Sequence, residues 1–156
     1  MRRNEIDLDC SHLAFDFFYW FSRFEFALKE NKYLKSKKEG DRAEPGWREF
    51  TEVWQTKYIS STEARALLMA APKQQVVSAT GELCWTPVRL DDSKWELAKV
   101  IRLLKTVRNN LFHGGKHGVT DWDEPERMML LVRLAKTVLD QLSQLGDLEA
   151  DYRRYY

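Results

Sequence analysis

Three long stretches of the chain place apolar residues three and four positions apart, and this spacing constrains the fold more than any other feature. Apolar side chains at such intervals lie on one face of an α-helix. The first stretch runs from about Leu8 to Glu30. Its apolar stripe consists of Leu13, Phe17, Trp20 with Phe21, Phe24 and Leu28. The sequence therefore predicts an amphipathic first helix.

The first helix also carries apolar residues away from this stripe. They are Phe15, Phe18, Tyr19 and Phe26. A helix that is apolar on more than one face is either deep in a core or covered on a second side. In a chain of 156 residues a second copy is a good candidate for that cover. We therefore expect a homodimer that uses the first helix.

Two more long helices follow in the second half. The first is "SKWELAKVIRLLKTVRNNLFH", which Asp91 or Asp92 is predicted to cap. The second follows "GGKHGVTDW", with Asp123 or Glu124 at its start and Pro125 in its first turn. The predicted buried stripes are Leu97, Val100 with Ile101, Leu104, Val107 and Leu111 in the first, and Met128, Leu131, Ala135, Val138, Leu142 and Leu145 in the second.

The middle of the chain has shorter segments. The charged "KENKYLKSKKEGDRAEPG" is typical of a solvated linker or a frayed helix end. Helical patterns follow in "WREFTEVWQTKY" and "STEARALLMAAP", the latter capped by Ser60 or Ser61 and stopped by Pro72. Between residues 73 and 92 "QQVVS" and "LCWTPV" flank "ATGE", which predicts a small hairpin.

These elements predict an all-α protein, an antiparallel bundle of four main helices with an irregular insertion or small hairpin around 73–92. We expect a single domain over residues 1–156, since two independent domains would be cramped. The sequence favours a cytoplasmic protein without membrane contact. It has two isolated cysteines and no signal core, and charged residues interrupt its first helix.

Basic residues cluster in the stretch from Ser93 to Val119, although the net charge of the whole chain is only +1. A local cationic patch attracts phosphate without making the whole surface adhesive. The alternative is a solvated face beside a helix C-terminus, which we prefer for Lys94 and Lys99. The remaining basic side chains of the cluster are Arg102, Lys105, Arg108 and Lys116, with His113 and His117 beside them.

Arg108 and His113 are the residues best suited to chemistry. In an ideal helix, five residues correspond to a rotation of about 140°; Gly114-Gly115 must unwind the helix, which lets His113 turn toward Arg108. An imidazole that moves protons and a guanidinium that stabilises phosphate charge suffice to cut RNA without a metal. One histidine cannot easily make both proton transfers, so two copies facing each other across a twofold axis would serve.

Other chemistries fit the same stretch less well. A glycine-rich phosphate cradle in "HGGKHG", with Lys116 as a point charge, is a second candidate, but the stretch lacks the Walker pattern and follows a helix. His113 and His117 have the spacing of helical metal ligands, but glycines break the helix between them and no acidic or thiol ligand is close in sequence. We therefore expect neither a metal nor another cofactor.

The segment "RNNLFHGGK" resembles the Arg-x4-6-His signature of the HEPN superfamily, and "FYWFSRFEFALKENKY" resembles the opening helix of a small prokaryotic branch. The resemblance covers most of the chain. It implies a helical bundle that dimerises around a shared cleft, and in many members a metal-independent endoribonuclease of toxin–antitoxin, antiviral or stress-defence systems. It thus implies RNA as the substrate, cut to leave a 2′,3′-cyclic phosphate, and an antitoxin or defence-system protein as a partner.

By the same resemblance Arg108 and His113 are catalytic, and Asn109 orients the histidine or the phosphate. Glu25 is the first-helix carboxylate expected to meet Arg108; an ordinary Glu25–Lys29 helix pair is the alternative. The expected phosphate contacts are Lys116, Arg102, Lys105 and His117, and a merely solvated Lys116 is the alternative for that residue.

The chain departs from the family at one point. Members modified by a partner nucleotidyltransferase carry a tyrosine shortly after the histidine, where this chain has Gly114 and Gly115. The superfamily also includes inactive members, so the alternative function is a HEPN module that binds RNA, a nucleotide or a protein without cutting. A third interpretation is a helical assembly subunit whose apolar first helix is only an interface.

Overall fold

The computed structural model describes residues 8–113 and 125–154, apart from the side chains of His113 and Pro125. In these ranges the protein is predominantly helical, with one small antiparallel sheet, so the helical class is confirmed. The elements are α1 (Leu8–Glu30), α2 (Trp47–Trp54), α3 (Thr62–Ala70), β1 (Lys73–Val77), β2 (Leu83–Pro87), α4 (Glu96–His113), α5 (Pro125–Leu145) and α6 (Glu149–Arg153).

Helix α1 has the predicted bounds and buries the predicted face. Phe17, Phe24 and Leu28 are fully buried, because they point into the common apolar core. Three of the residues off the stripe remain in solvent: Phe15 is 69%, Phe18 44% and Tyr19 42% exposed. The expectation of apolar residues on a second face of α1 is therefore confirmed.

The charged segment after α1 is more ordered than a solvated linker. Leu34 and Pro45 form an isolated antiparallel bridge, and the Gly46 N–H donates to the Tyr33 carbonyl at 2.8 Å. A Cβ on Gly46 would lie only 2.7 Å from the backbone of residues 33 and 34, so glycine permits this close approach. The contact fixes where α2 begins, at Trp47.

Helix α3 and the hairpin agree with their sequence signals. The Ser61 side chain caps α3 by accepting a hydrogen bond from the Ala64 N–H at 3.0 Å. Strands β1 and β2 pair antiparallel, with Lys73 opposite Pro87 and Val77 opposite Leu83. The predicted hairpin between residues 73 and 92 is confirmed.

The predicted cap of α4 is wrong. The helix begins at Glu96, later than a cap at Asp91 or Asp92 requires. The Asp92 carboxylate instead accepts a hydrogen bond from Arg102 at 2.7 Å, which ties it to a residue inside α4. The predicted buried stripe of α4 is otherwise present, with Leu97, Val100 and Leu104 fully buried.

The helices pack around α5, which contacts α1, α3, α4 and α6. Their apolar residues share one core. The long helices are α1, α4 and α5, whereas α2, α3 and α6 have five to nine residues. Assignment to the four-helix HEPN bundle therefore stays a prediction. Within residues 8–113 and 125–154, no helix is both long and apolar enough to cross a bilayer.

Short helix α6 has no counterpart in the sequence prediction. Its Tyr152 is fully buried and donates a hydrogen bond to Asp140 of α5 at 2.7 Å. Arg23 of α1 donates to the carbonyls of Tyr152 at 3.2 Å and Arg154 at 3.0 Å, and also to that of Asp151. A charged donor thus satisfies carbonyls at the C-terminal end of α6.

Candidate active site

A cleft of about 270 Å³ lies between α1 and α4 and contains one of the predicted catalytic residues, Arg108. Side chains three and four positions apart share a helix face, so one face of each helix forms a wall. The lining residues are Phe18, Phe21, Ser22 and Glu25 from α1 and Arg108 and Phe112 from α4.

Arg108 crosses from α4 toward α1. Its guanidinium carbon lies 5.0 Å from the centre of the Phe21 ring, and its Nη2 lies 3.6 Å from Glu25 Oε1. That distance makes an ion pair but is too long for a hydrogen bond. Among the described residues the N–H groups of the Arg108 guanidinium have no hydrogen-bond acceptor, so the guanidinium can still bind an anion.

Glu25 is held from its other side by Trp47 of α2. The indole N–H donates a hydrogen bond to Glu25 Oε1 at 3.0 Å, the same oxygen that faces Arg108. Trp47 is itself fixed because its ring stacks on Phe24 at 5.0 Å between centres. The expected contact between Glu25 and Arg108 is present, rather than a Glu25–Lys29 pair; its part in catalysis stays a prediction.

Lys105, one turn before Arg108, lines a neighbouring pocket of about 370 Å³. Its ammonium lies 5.3 Å from the centre of the Trp47 ring. The pKa of Lys105 is lowered overall. Burial is the main cause and the charge of Arg108 adds to it, whereas the charges of Glu25 and Glu49 act in the opposite direction. Lys105 therefore belongs to the same electrostatic cluster as Arg108. The pocket is lined by Lys35, Pro45, Trp47, Arg48, Glu49 and Lys105.

Arg102 is not part of this cluster. It is bound to Asp92 at 2.7 Å and to the carbonyl of Arg89, and so ties α4 to the segment before it. Its hydrogen bond and charge hold the pKa of Asp92 below the usual range. The structure thus gives Arg102 a structural partner instead of placing it beside Arg108.

The two asparagines after Arg108 have different environments. Asn109 is exposed, whereas Asn110 is 5% exposed and donates a hydrogen bond from Nδ2 to the Lys73 carbonyl at 2.7 Å. Asn110 therefore fixes the first residue of β1 to α4. The predicted orienting role of Asn109 stays a prediction.

The rest of the predicted site lies largely outside the described residues. The backbone of α4 remains helical through His113, and the predicted unwinding at Gly114-Gly115 lies outside the described residues. The position of the His113 imidazole lies outside the described part, as do Lys116 and His117. The expected meeting of guanidinium and imidazole stays a prediction.

Sequence reasoning did not identify three residues at the cleft: Phe112 and Phe21, which line it, and Trp47, which supports it through Glu25. Phe112 follows Arg108 by one helical turn, and its ring lies 4.8 Å from that of Phe18. This spacing on α4 could have identified Phe112 from the sequence as a neighbour of Arg108. Phe21 was expected only in the core, and Trp47 gave no local sign of its bond to Glu25, because the two residues belong to different helices.

No group of three or more His, Cys, Asp or Glu side chains in the described part of the chain is arranged to hold a metal ion. Comparison with family models, with curated proteins and with solved structures finds no match to this chain. The HEPN resemblance therefore depends on the sequence motifs alone.

Proposed function

We propose that this protein is a metal-independent endoribonuclease of the HEPN type that acts as a homodimer on single-stranded or loop RNA. The observation that carries the proposal is the position of Arg108, whose guanidinium lines an open cleft and has donors free of acceptors among the described residues. Arginine binds phosphate oxygens through two parallel hydrogen bonds, so a phosphodiester suits this cleft.

The proposed reaction is an in-line transesterification. The RNA 2′-oxygen forms a bond to phosphorus while the bond from phosphorus to the 5′-oxygen breaks. A base takes the 2′-hydroxyl proton, and an acid gives a proton to the leaving 5′-oxygen. The products are a 2′,3′-cyclic phosphate and a 5′-hydroxyl. We assign the proton transfers to His113 from each of two copies and the stabilisation of phosphate charge to Arg108.

The exposed aromatic side chains of α1 support the dimer. Phe15 and Tyr19 are exposed on α1, and Phe18 both lines the cleft and is 44% exposed. Phe112, 49% exposed, packs on Phe18. A second copy covering these rings would bury apolar surface and lie beside Arg108. We therefore propose this surface as the dimer interface.

The direct test is cleavage of labelled single-stranded RNA by purified protein in the presence of a chelator. We expect a cyclic-phosphate product, and at least a hundredfold lower rate for Arg108→Ala and for His113→Ala, in line with the loss of an electrostatic or acid–base group. Arg133→Ala, on α5, is the control. Cleavage that survives both changes at Arg108 and His113 would refute the site.

The second candidate function is an inactive HEPN module that binds RNA, a nucleotide or a protein. The cationic pocket beside the cleft favours it, since Lys35, Arg48 and Lys105 attract phosphate. RNA binding by Arg108 with no cleavage under any metal condition would favour this function. We place the protein in toxin–antitoxin or antiphage defence, with an antitoxin or defence protein as partner, on the resemblance alone.

A further inference from the structure

The pocket beside the Arg108 cleft has a wall of cationic side chains from three parts of the chain. Lys35 comes from the segment after α1, Arg48 from α2 and Lys105 from α4. Glu49 is the only acidic residue among the lining residues. The pocket therefore has a net positive lining and suits an anionic group.

Lys105 differs from the other two cationic residues of this wall, Lys35 and Arg48. Lys35 pairs with Glu44 at 3.0 Å, and Arg48 lies 3.4 Å from Glu49 and 3.5 Å from Glu52. Lys105 has no carboxylate within salt-bridge distance among the described residues. Its ammonium is partly buried over the Trp47 ring, where water solvates it poorly. A bound anion would compensate the ammonium for the contacts with water that it has lost.

The two pockets lie side by side. Trp47 lines the second pocket and donates its hydrogen bond to Glu25, which lines the first. Lys105 and Arg108 are three residues apart on α4, a spacing that brings side chains to about 5–6 Å at Cβ. The charges of Glu25 and Arg108 both act on the Lys105 ammonium, so the two cations lie in one neighbourhood. A strand bound at Arg108 can therefore bring a neighbouring phosphate to Lys105.

We propose that the pocket formed by Lys35, Arg48 and Lys105 is a second phosphate subsite, which binds the phosphate next to the one held by Arg108. This inference rests on the proposed function, because it takes RNA as the ligand. It adds a requirement on the substrate: the strand must extend at least one phosphate beyond the scissile bond on the side of Lys105.

A matched pair of variants tests the subsite. Lys105→Met removes the charge but keeps an apolar stem over Trp47. Lys136→Met is the control, since Lys136 also lies over a tryptophan, 5.6 Å from the Trp20 ring centre, but already has a carboxylate partner in Asp140 at 2.9 Å. The ligand is a fluorescent 12-nucleotide RNA with 2′-O-methyl groups throughout, which lacks the attacking hydroxyl and so stays intact during the measurement.

Affinity is measured by anisotropy over a series of salt concentrations. We expect Lys105→Met to weaken binding about three- to tenfold at low salt and to reduce the slope of log K against log salt by about 0.7, the loss of one phosphate contact on a single strand. Lys136→Met should match the wild type in affinity and slope. Circular dichroism on both variants establishes that each is folded.

Three results separate the two proposals. Weaker binding and a smaller slope for Lys105→Met alone support the subsite. Wild-type affinity and slope for Lys105→Met, together with weaker binding by Arg108→Ala, overturn the subsite and leave the Arg108 cleft as an RNA site. Absence of RNA binding by the wild-type protein at low salt overturns both.

Cleavage of short substrates gives an independent result. A dinucleoside monophosphate has one phosphate, and a tetranucleotide also reaches the neighbouring pocket. Lys105→Met should lower kcat/KM for the tetranucleotide about three- to tenfold, as one phosphate contact is lost, and leave that for the dinucleoside monophosphate unchanged. Equal losses for both substrates would overturn the subsite.

Discussion

The guanidinium of Arg108 lies 3.6 Å from the carboxylate of Glu25, at the wall of an open cleft between α1 and α4. Both side chains are about one-third exposed, at 31% and 28%. Water screens such a pair, so the ion pair is weak enough for a phosphate to compete with it. Glu25 thus sets how strongly Arg108 attracts an anion.

Glu25→Gln should strengthen binding of the uncleavable RNA about two- to fivefold at low salt. The substitution keeps an oxygen for the Trp47 N–H and removes one negative charge next to the incoming phosphate, an effect of modest size at a partly exposed position. Anisotropy measures the change. Glu149→Gln, an exposed carboxylate that pairs with Arg153 on α6, is the control. Equal affinities for Glu25→Gln and the wild type would contradict this role of Glu25.

Trp47→Phe should impair the site beyond its effect on stability. It removes the hydrogen bond to Glu25 but keeps a ring against Phe24. The free energy of unfolding should therefore fall by about 1–2 kcal/mol, and RNA affinity should fall as well. Trp54→Phe is a matched control, because it removes a similar bond, to Tyr33 at 2.9 Å. Urea unfolding and RNA anisotropy give the two measurements. Equal RNA affinities in both variants would limit Trp47 to packing.

Phe15→Asp should convert a dimer into a monomer. Phe15 is 69% exposed and lies outside the residues that line the cleft, so a charge there should disrupt an apolar interface and leave the fold intact. Sedimentation at micromolar concentration should give twice the chain mass of 18.5 kDa for the wild type and the single chain mass for the variant. Met69→Asp, 85% exposed on α3, is the control. A monomeric wild type would refute the shared site.

Tyr152→Phe should destabilise the protein by about 1–2 kcal/mol near neutral pH, through loss of the buried hydrogen bond to Asp140. Burial raises the pKa of Tyr152 above its ordinary value, and the hydrogen bond and charge of Asp140 raise it further. The phenol therefore stabilises the fold fully below the unfolded pKa of about 10, and this contribution is lost as the pH rises toward the folded pKa.

The pH dependence supplies a second measurement for Tyr152. Above about pH 10 the free energy of unfolding of the wild type should fall with pH, and more steeply than that of Tyr152→Phe. Chemical unfolding at several alkaline pH values measures both slopes. Tyr19→Phe, an exposed position, is the control and should follow the wild type. Parallel slopes for Tyr152→Phe and the wild type would show that folding does not raise the pKa of this phenol, and would contradict the prediction.

The sequence by itself determined the elements whose signals are local. The bounds of α1, a cap of α3 at Ser60 or Ser61 and the hairpin of β1 and β2 were predicted because helical periodicity, capping and turn residues act within a few positions. The exposed aromatic residues of α1 were also predictable, since they lie off its buried stripe. Arg108 was identified from its motif, and its pairing with Glu25 was expected from the resemblance.

Only the tertiary structure decided which distant side chains meet. Asp92 looked like a helix cap but pairs with Arg102, ten residues later and inside α4. Helix α6 is five residues long and depends on Arg23 and Asp140, which lie elsewhere in the sequence. Trp47 reaches Glu25 because Gly46 lets two backbone segments touch. Such contacts depend on packing between elements, which no local pattern of residues encodes.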